Sequence, residues 1–148
     1  MNLYFTLIHS LLVYCITIWG STSQENMLRL YRLQKRAARV ICNSTFGSPG
    51  APLLASLNIL DVFSLYKYHL GIFMYSSHKK LLPATLTKYF IFNNETHQFN
   101  TRRNKDFHIP FARTSVTQKS VYFAGPKLWN SLPLTLKECH SLNIFKTK

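Results

Sequence analysis

Ser21–Asn43 reads STSQENMLRLYRLQKRAARVICN, and this stretch decides how the rest of the chain is read. Thr22 and Glu25 stand three apart ahead of an apolar pattern. That is the spacing of a capping box, in which each side chain accepts from the other's backbone N–H. At about 100° per residue, Met27, Leu30, Tyr31, Gln34, Ala37, Ala38 and Ile41 fall on one side of the predicted helix. Arg29, Arg32, Arg36 and Arg39 follow 3-4-3 spacing on the opposite side, with Lys35 at its edge. The helix rises roughly 15 Å over these positions, so the cations form a linear stripe. No carboxylate stands at i+4 from any of them, so the stripe is expected to be unneutralised. A solvated helix face is the ordinary reading of such a run, and a polyanion-binding face competes with it.

The overall charge favours the second reading. Eighteen Lys and Arg stand against five acids (Glu25, Asp61, Glu95, Asp106, Glu138), a formal net charge of +13 and a pI near 10.0. A balance of that sign attracts nucleic acid or an anionic membrane surface. The first 28 residues contain no Lys or Arg, so the positive charge belongs to the rest. The length, 148 residues, is that of one domain. Cys15, Cys42 and Cys139 are odd in number and far apart, which argues against a disulfide framework and for an intracellular, reducing compartment. No CxxC occurs, and Cys139-His140 lacks a second pair to complete a tetrahedral site, so no metal ligands are assigned.

Met1–Gly20 is a nearly uncharged apolar run with three readings. A signal peptide lacks its basic start and a small-x-small cleavage site. A membrane span is short of about 20 apolar residues. The preferred reading is a buried helix whose packing partners are missing, which hints at a fragment. After the basic helix, Phe46–Gly50 is predicted as a loop, and Ala51–Leu57 as a short helix with Pro52 in its first turn. Asp61 is placed to cap a helix from Val62 to about Ser76, whose Val62, Leu65, Tyr66, His69, Leu70, Phe73 and Met74 share a face. His69 is read there as a core histidine.

The character changes at Asn93. Thr101–Lys105 forms a second basic cluster, with Arg102, Arg103 and Lys105 as candidate nucleic-acid contacts of lower rank. Asp106–Ala112 and Ser115–Phe123 have extended signatures, and Gly125-Pro126 is read as a turn. Ser141 can cap a last helix holding Leu142, Ile144 and Phe145. The fold expected is mainly α: a small helical bundle over 1–92, then a basic C-terminal extension over 93–148 with short strands and helices. Two glycosylation sequons, at Asn43 and Asn94, matter only if the chain is secreted. A small secreted basic protein, binding anionic polymers or membranes, is therefore the alternative reading.

Catalysis by this chain alone is not expected. Two-metal chemistry needs clustered carboxylates, and the five acids are scattered singly. No phosphate-binding glycine loop, GxSxG or HExxH occurs.

Several separated motifs together resemble one family, the C-terminal region of the reverse transcriptase of jockey-like non-LTR retrotransposons. Leu12-Val13-Tyr14-Cys15-Ile16-Thr17-Ile18-Trp19-Gly20 resembles its Leu-x-Tyr-Gly-Ile-x-x-Trp-Gly. Leu33–Ile41 resembles its Gln-Lys-Arg-Ala-x-Arg-x-Ile. Pro52-Leu53-Leu54 and Asn100-Thr101-Arg102 follow, then the run Lys119–Pro133 with Gly125, Pro126, Trp129, Asn130 and Pro133. Its ending, Trp-Asn-x-Leu-Pro, is the most specific element, and Phe145-Lys146 resembles the closing Phe-Lys. The order holds over nearly the whole chain. Cys15 departs from the pattern, where glycine is usual, and a small side chain in a tightly packed helix accounts for it. The resemblance implies a thumb and downstream segment. The fingers, palm and magnesium-binding aspartates of the parent polymerase would lie upstream. It implies a nucleic-acid duplex as partner, no small-molecule substrate and no cofactor in this chain. Arg29, Arg32, Lys35, Arg36 and Arg39 would grip phosphates. Trp129 is read as a core anchor and Asn130 as capping or turning the backbone.

Overall fold

The computed structural model describes residues 2–96 and 102–147, and it is mainly helical. Among the described residues there are eleven α-helices and one π-helical stretch, and the only extended pairing is an isolated antiparallel bridge, Phe92 to Phe107. The chain forms two compact units, Met1–Lys67 and Tyr68–Lys148. The division falls inside a helix rather than at the composition change near Asn93.

In the first unit the apolar N-terminus is helical but not continuous. A π-helical stretch, Tyr4–His9, leads into α1 (Ser10–Val13), and α2 (Ile16–Trp19) follows a break at Tyr14 and Cys15. Cys15 sits in the left-handed region at φ 52°. Trp19 closes the break, its indole N–H donating to the Tyr14 carbonyl at 2.7 Å. Gly20 is needed for close approach, because a Cβ there would overlap the ring of Tyr66. The long basic helix, α3, runs Gln24–Ile41 and begins one residue later than the capping-box spacing predicts. Ser23 is its cap, accepting from the Asn26 N–H at 3.3 Å, while Thr22 accepts from the Asn26 side chain.

The inward face of α3 is as predicted at Met27, Gln34 and Ala38, which are buried, while Ile41 is exposed. Gln34 ties the unit together. Its amide donates to the Tyr4 hydroxyl and the Leu60 carbonyl, and its carbonyl accepts from the Val62 N–H. A buried amide with three partners offsets its desolvation, so a polar residue sits at the centre without an orphan group. Tyr4, Ala38, Leu54 and Ile59 form the apolar core beside it. Three helix ends here and in the next unit close as Schellman motifs. After α3, Ser44 N–H returns to Arg39 and Asn43 N–H to Val40. After α4 (Gly50–Ser56), Ile59 returns to Leu54 and Asn58 to Ala55, and the Ile59 and Leu54 side chains are both buried.

α5 (Val62–His78) is capped as expected by Asp61, whose carboxylate accepts from the Phe63 and Ser64 N–H groups and the Ser64 hydroxyl. Burial alone would raise the Asp61 pKa, but these donors outweigh it and hold the carboxyl below its ordinary value. Beyond the end of α5 at His78 the chain closes through Lys80, in the left-handed region at φ 55°, with Leu81 N–H returning to Ser76.

The second unit then continues through short helices: α6 (Ala84–Thr87), α7 (Asn93–Thr96), α8 (Ser115–Lys119), α9 (Val121–Ser131), α10 (Leu134–Lys137) and α11 (Leu142–Thr147). Two expectations are corrected here. Ser115–Lys119 and Val121–Phe123 are helical rather than extended: Thr114 accepts from the Thr117 N–H to start α8, and a single extended residue, Ser120, separates it from α9. Local caps outweigh the weak strand preference of Val116, Tyr122 and Phe123. Gly125-Pro126 is not a turn but lies inside α9, fully enclosed. A Cβ at Gly125 would stand 2.6 Å from Met74 Sδ, so the bare glycine lets α9 press on α5. The Ser141 cap on α11 is present, accepting from Ile144 N–H.

Met74, Tyr75, Phe90, Phe107, Trp129, Cys139 and Phe145 form the core of this unit. Trp129 is 1% exposed and lies 5.2–6.4 Å from the rings of His78, Phe107, Phe145 and Tyr75. The region beyond Asn93 therefore shares a core with the second half of α5 instead of trailing from it.

Candidate nucleic-acid interface

α3 is held from one side, and its cations divide by what that anchoring does to each. Arg32 and Arg36 are exposed, about one turn apart, and have no carboxylate or hydrogen-bond partner among the described residues. Arg29 is also exposed but pairs with Glu25 at 2.8 Å. The expectation of a wholly unneutralised stripe is thus corrected: the acid stands at i−4, the favourable Glu-before-Arg order, not at i+4. An exposed pair of this kind contributes little to stability.

Lys35 and Arg39 are half-buried and face the fold. The Lys35 stem lies where a Cβ of Gly50 would be, 2.7 Å from it, and its ammonium sits 4.4 Å over the Tyr31 ring. Arg39 donates from Nε to the Ser48 carbonyl at 2.8 Å and holds its guanidinium over the ring of Phe46. Both serve the packing of α4 and of the loop that precedes it. Leu33 and Val40 are 60% and 76% exposed among the arginines, so the outer face alternates guanidinium and aliphatic groups. An apolar groove of about 450 Å³, lined by Ile8, Leu11, Leu12, Trp19, Leu30 and Leu33, opens beside it.

The second cluster lies in the other unit. Arg102, Arg103 and Lys105 are exposed in a turn, and Thr101 lies outside the described residues. The turn is fastened through its backbone: the Arg103 carbonyl accepts from Asn93 Nδ2 and Asp106 N–H, and the Asn104 carbonyl from Asn94 N–H. The three side chains are therefore presented from a fixed frame.

The Trp-Asn-x-Leu-Pro element fastens the same region. Asn130 donates from Nδ2 to the Phe107 carbonyl at 2.8 Å and accepts from the Phe107 N–H at 3.0 Å, replacing a neighbouring strand. Lys137 bridges Asp106 and the Asn130 carbonyl. Pro133 starts α10 just after α9 has ended. Trp129 and Asn130 thus act as anchor and backbone clamp.

Four of the five acids have structural partners. Glu25 pairs with Arg29, Asp61 caps α5, Asp106 pairs with Lys137, and the Glu95 carboxylate stands 3.4 Å from the Phe92 N–H. Among the described residues no three His, Cys, Asp or Glu side chains come together as a metal site. No described helix is long and apolar enough to cross a membrane. No protein-family model, curated protein or solved structure matches the chain.

Sequence reasoning missed the role of Gln34, hidden in an apolar pattern, and the placement of Phe46. The only signal for Phe46 was a large aromatic in a loop rich in small residues.

Proposed function

We propose that the outer face of α3 grips the phosphate backbone of a nucleic-acid duplex. In this reading the chain is the thumb and downstream part of a non-LTR retrotransposon reverse transcriptase, positioning a substrate for chemistry performed by an absent palm. The observation that carries it is the pair Arg32 and Arg36, exposed and unneutralised on a helix anchored by Met27, Gln34 and Ala38. The motif series supports the family, and the excess of basic residues supports a polyanionic partner. Guanidinium groups on a rigid helix position a backbone and read no bases, so binding should tolerate sequence.

Fluorescence anisotropy with a labelled RNA–DNA hybrid, titrated against salt, tests the proposal. Each phosphate contact contributes a log-log slope of about −0.9 on B-DNA, a value applied here to the hybrid. Replacing both Arg32 and Arg36 with Ala should make the slope shallower by about 1.8. Arg32→Glu with Arg36→Glu should abolish binding, and Lys35→Ala should leave the slope nearly unchanged. An unaltered slope in the double alanine variant would remove α3 from the mechanism.

A further inference from the structure

The loop that follows α3 presents an aromatic ring beside Arg39, in the last turn of that helix. Phe46 is 87% exposed, a large apolar side chain left almost wholly in water. Single exposed apolar residues are common and by themselves mean nothing. This one differs because its loop is tied down on both sides. Its start is fixed by the Schellman closure of α3, with Asn43 at φ 48°. Its end is fixed by Arg39, which donates to the Ser48 carbonyl at 2.8 Å. Between them Ser48 N–H returns to the Thr45 carbonyl, and the Thr45 and Ser48 hydroxyls bond at 3.0 Å. Gly47 has open space around its Cα, so nothing else crowds the tip.

The same Arg39 supplies the electrostatics. Its guanidinium carbon lies over the Phe46 ring, 5.9 Å from the centroid. One arginine therefore holds the loop and braces the ring, and most of the ring surface stays open to solvent. Phe111 is as exposed, at 92%, but has no cation over its ring among the described residues. A braced aromatic beside a cationic helix is the combination used to stack unpaired bases, which all offer a π-face whatever their sequence.

We infer that Phe46 is a stacking platform for an unpaired base, so that the preferred ligand is a junction between a duplex and a single strand. The duplex lies along Arg32 and Arg36, and the first unpaired base sits on the ring. This rests on the phosphate-grip reading and narrows it. Exposed leucines elsewhere do not compete for this role, because aliphatic side chains offer no flat face.

The test compares a blunt RNA–DNA hybrid with the same hybrid carrying a four-nucleotide overhang, 2-aminopurine at its first unpaired position. The full chain should bind the overhang substrate roughly 5- to 100-fold more tightly than the blunt one and quench the probe. Phe46→Ala should lose that preference and the quenching while keeping the blunt affinity, and Phe46→Trp should keep both. Exposure of the side chain means that the substitution leaves the fold intact, which an unchanged melting curve checks. Blunt binding that is sensitive to Arg32→Glu and Arg36→Glu, but without overhang preference, overturns this inference alone. Binding to neither substrate overturns the phosphate grip as well.

Discussion

Four described residues occupy the left-handed backbone region that suits glycine, and none is glycine. Cys15 at φ 52° and Lys80 at φ 55° both carry a Cβ in the left-handed region, which costs roughly 1–2 kcal/mol for a side chain without a local partner. At Cys15 this replaces the first explanation of the departure from the resembled pattern. The side chain is exposed, so packing is not the reason glycine suits the position. Conformation is. Cys15→Gly and Lys80→Gly are each expected to raise stability by about 1 kcal/mol in urea denaturation, after the entropy that glycine itself costs. Asn43 and Asn58, also at positive φ, should gain less, because asparagine tolerates that region. A Cys15→Gly variant no more stable than the parent would show that the break at Tyr14 is not held in this form. The position of the departure was legible in the sequence, but its reason was not, since φ follows from how the chain closes on Trp19.

At the scale of elements, periodicity served well where one face dominated. The α3 and α5 spans, the Asp61 cap and the Ser141 cap followed from apolar spacing and from short polar side chains. It failed where local caps competed with side-chain preference, as at Ser115–Phe123, and where glycine and proline were read as a turn. Gly125 is tolerated inside α9 because the missing Cβ is matched to Met74. The clamp formed by Asn130 has a direct test. Asn130→Ala strips partners from both the Phe107 N–H and its carbonyl, at a cost of about 2 kcal/mol. Asn130→Asp can still accept from the N–H but not donate to the carbonyl, so it should fall between the two. Loss of nucleic-acid affinity without loss of stability in Asn130→Ala would contradict the structural role.

At the scale of the molecule, each unit has its own core, and the second contains a titratable group. His78 is surrounded by Trp129, Phe92 and Phe107, and its buried Nδ1 has no hydrogen-bond partner among the described residues. Burial, with the nearby charges of Lys79 and Lys137, lowers its pKa from the ordinary 6.5. The imidazole is then neutral in both states above that value. As pH falls below about 6.5 the unfolded chain takes up a proton that the folded ring resists, so stability is lost on acidification. Melting temperature should therefore fall on the acid side more steeply than in His78→Phe, which cannot titrate. Parallel profiles for the two proteins would rule out His78 as the cause. The charge distribution is uneven as well: twelve of the eighteen cations and three of the five acids lie in the second unit.

By itself the sequence determined the helical class, the existence and extent of α3, and the strongly positive charge of the chain. These depend on periodicity, capping side chains and composition, all local or additive properties of the chain. Only the tertiary structure decided which cations on α3 face water. Lys35 and Arg39 share the spacing of Arg32 and Arg36, but the chain folding back after α3 brings Ser48 and Gly50 against them and turns them into struts. The same folding back leaves Phe46 beside the last turn of α3, braced by the arginine that the fold had claimed.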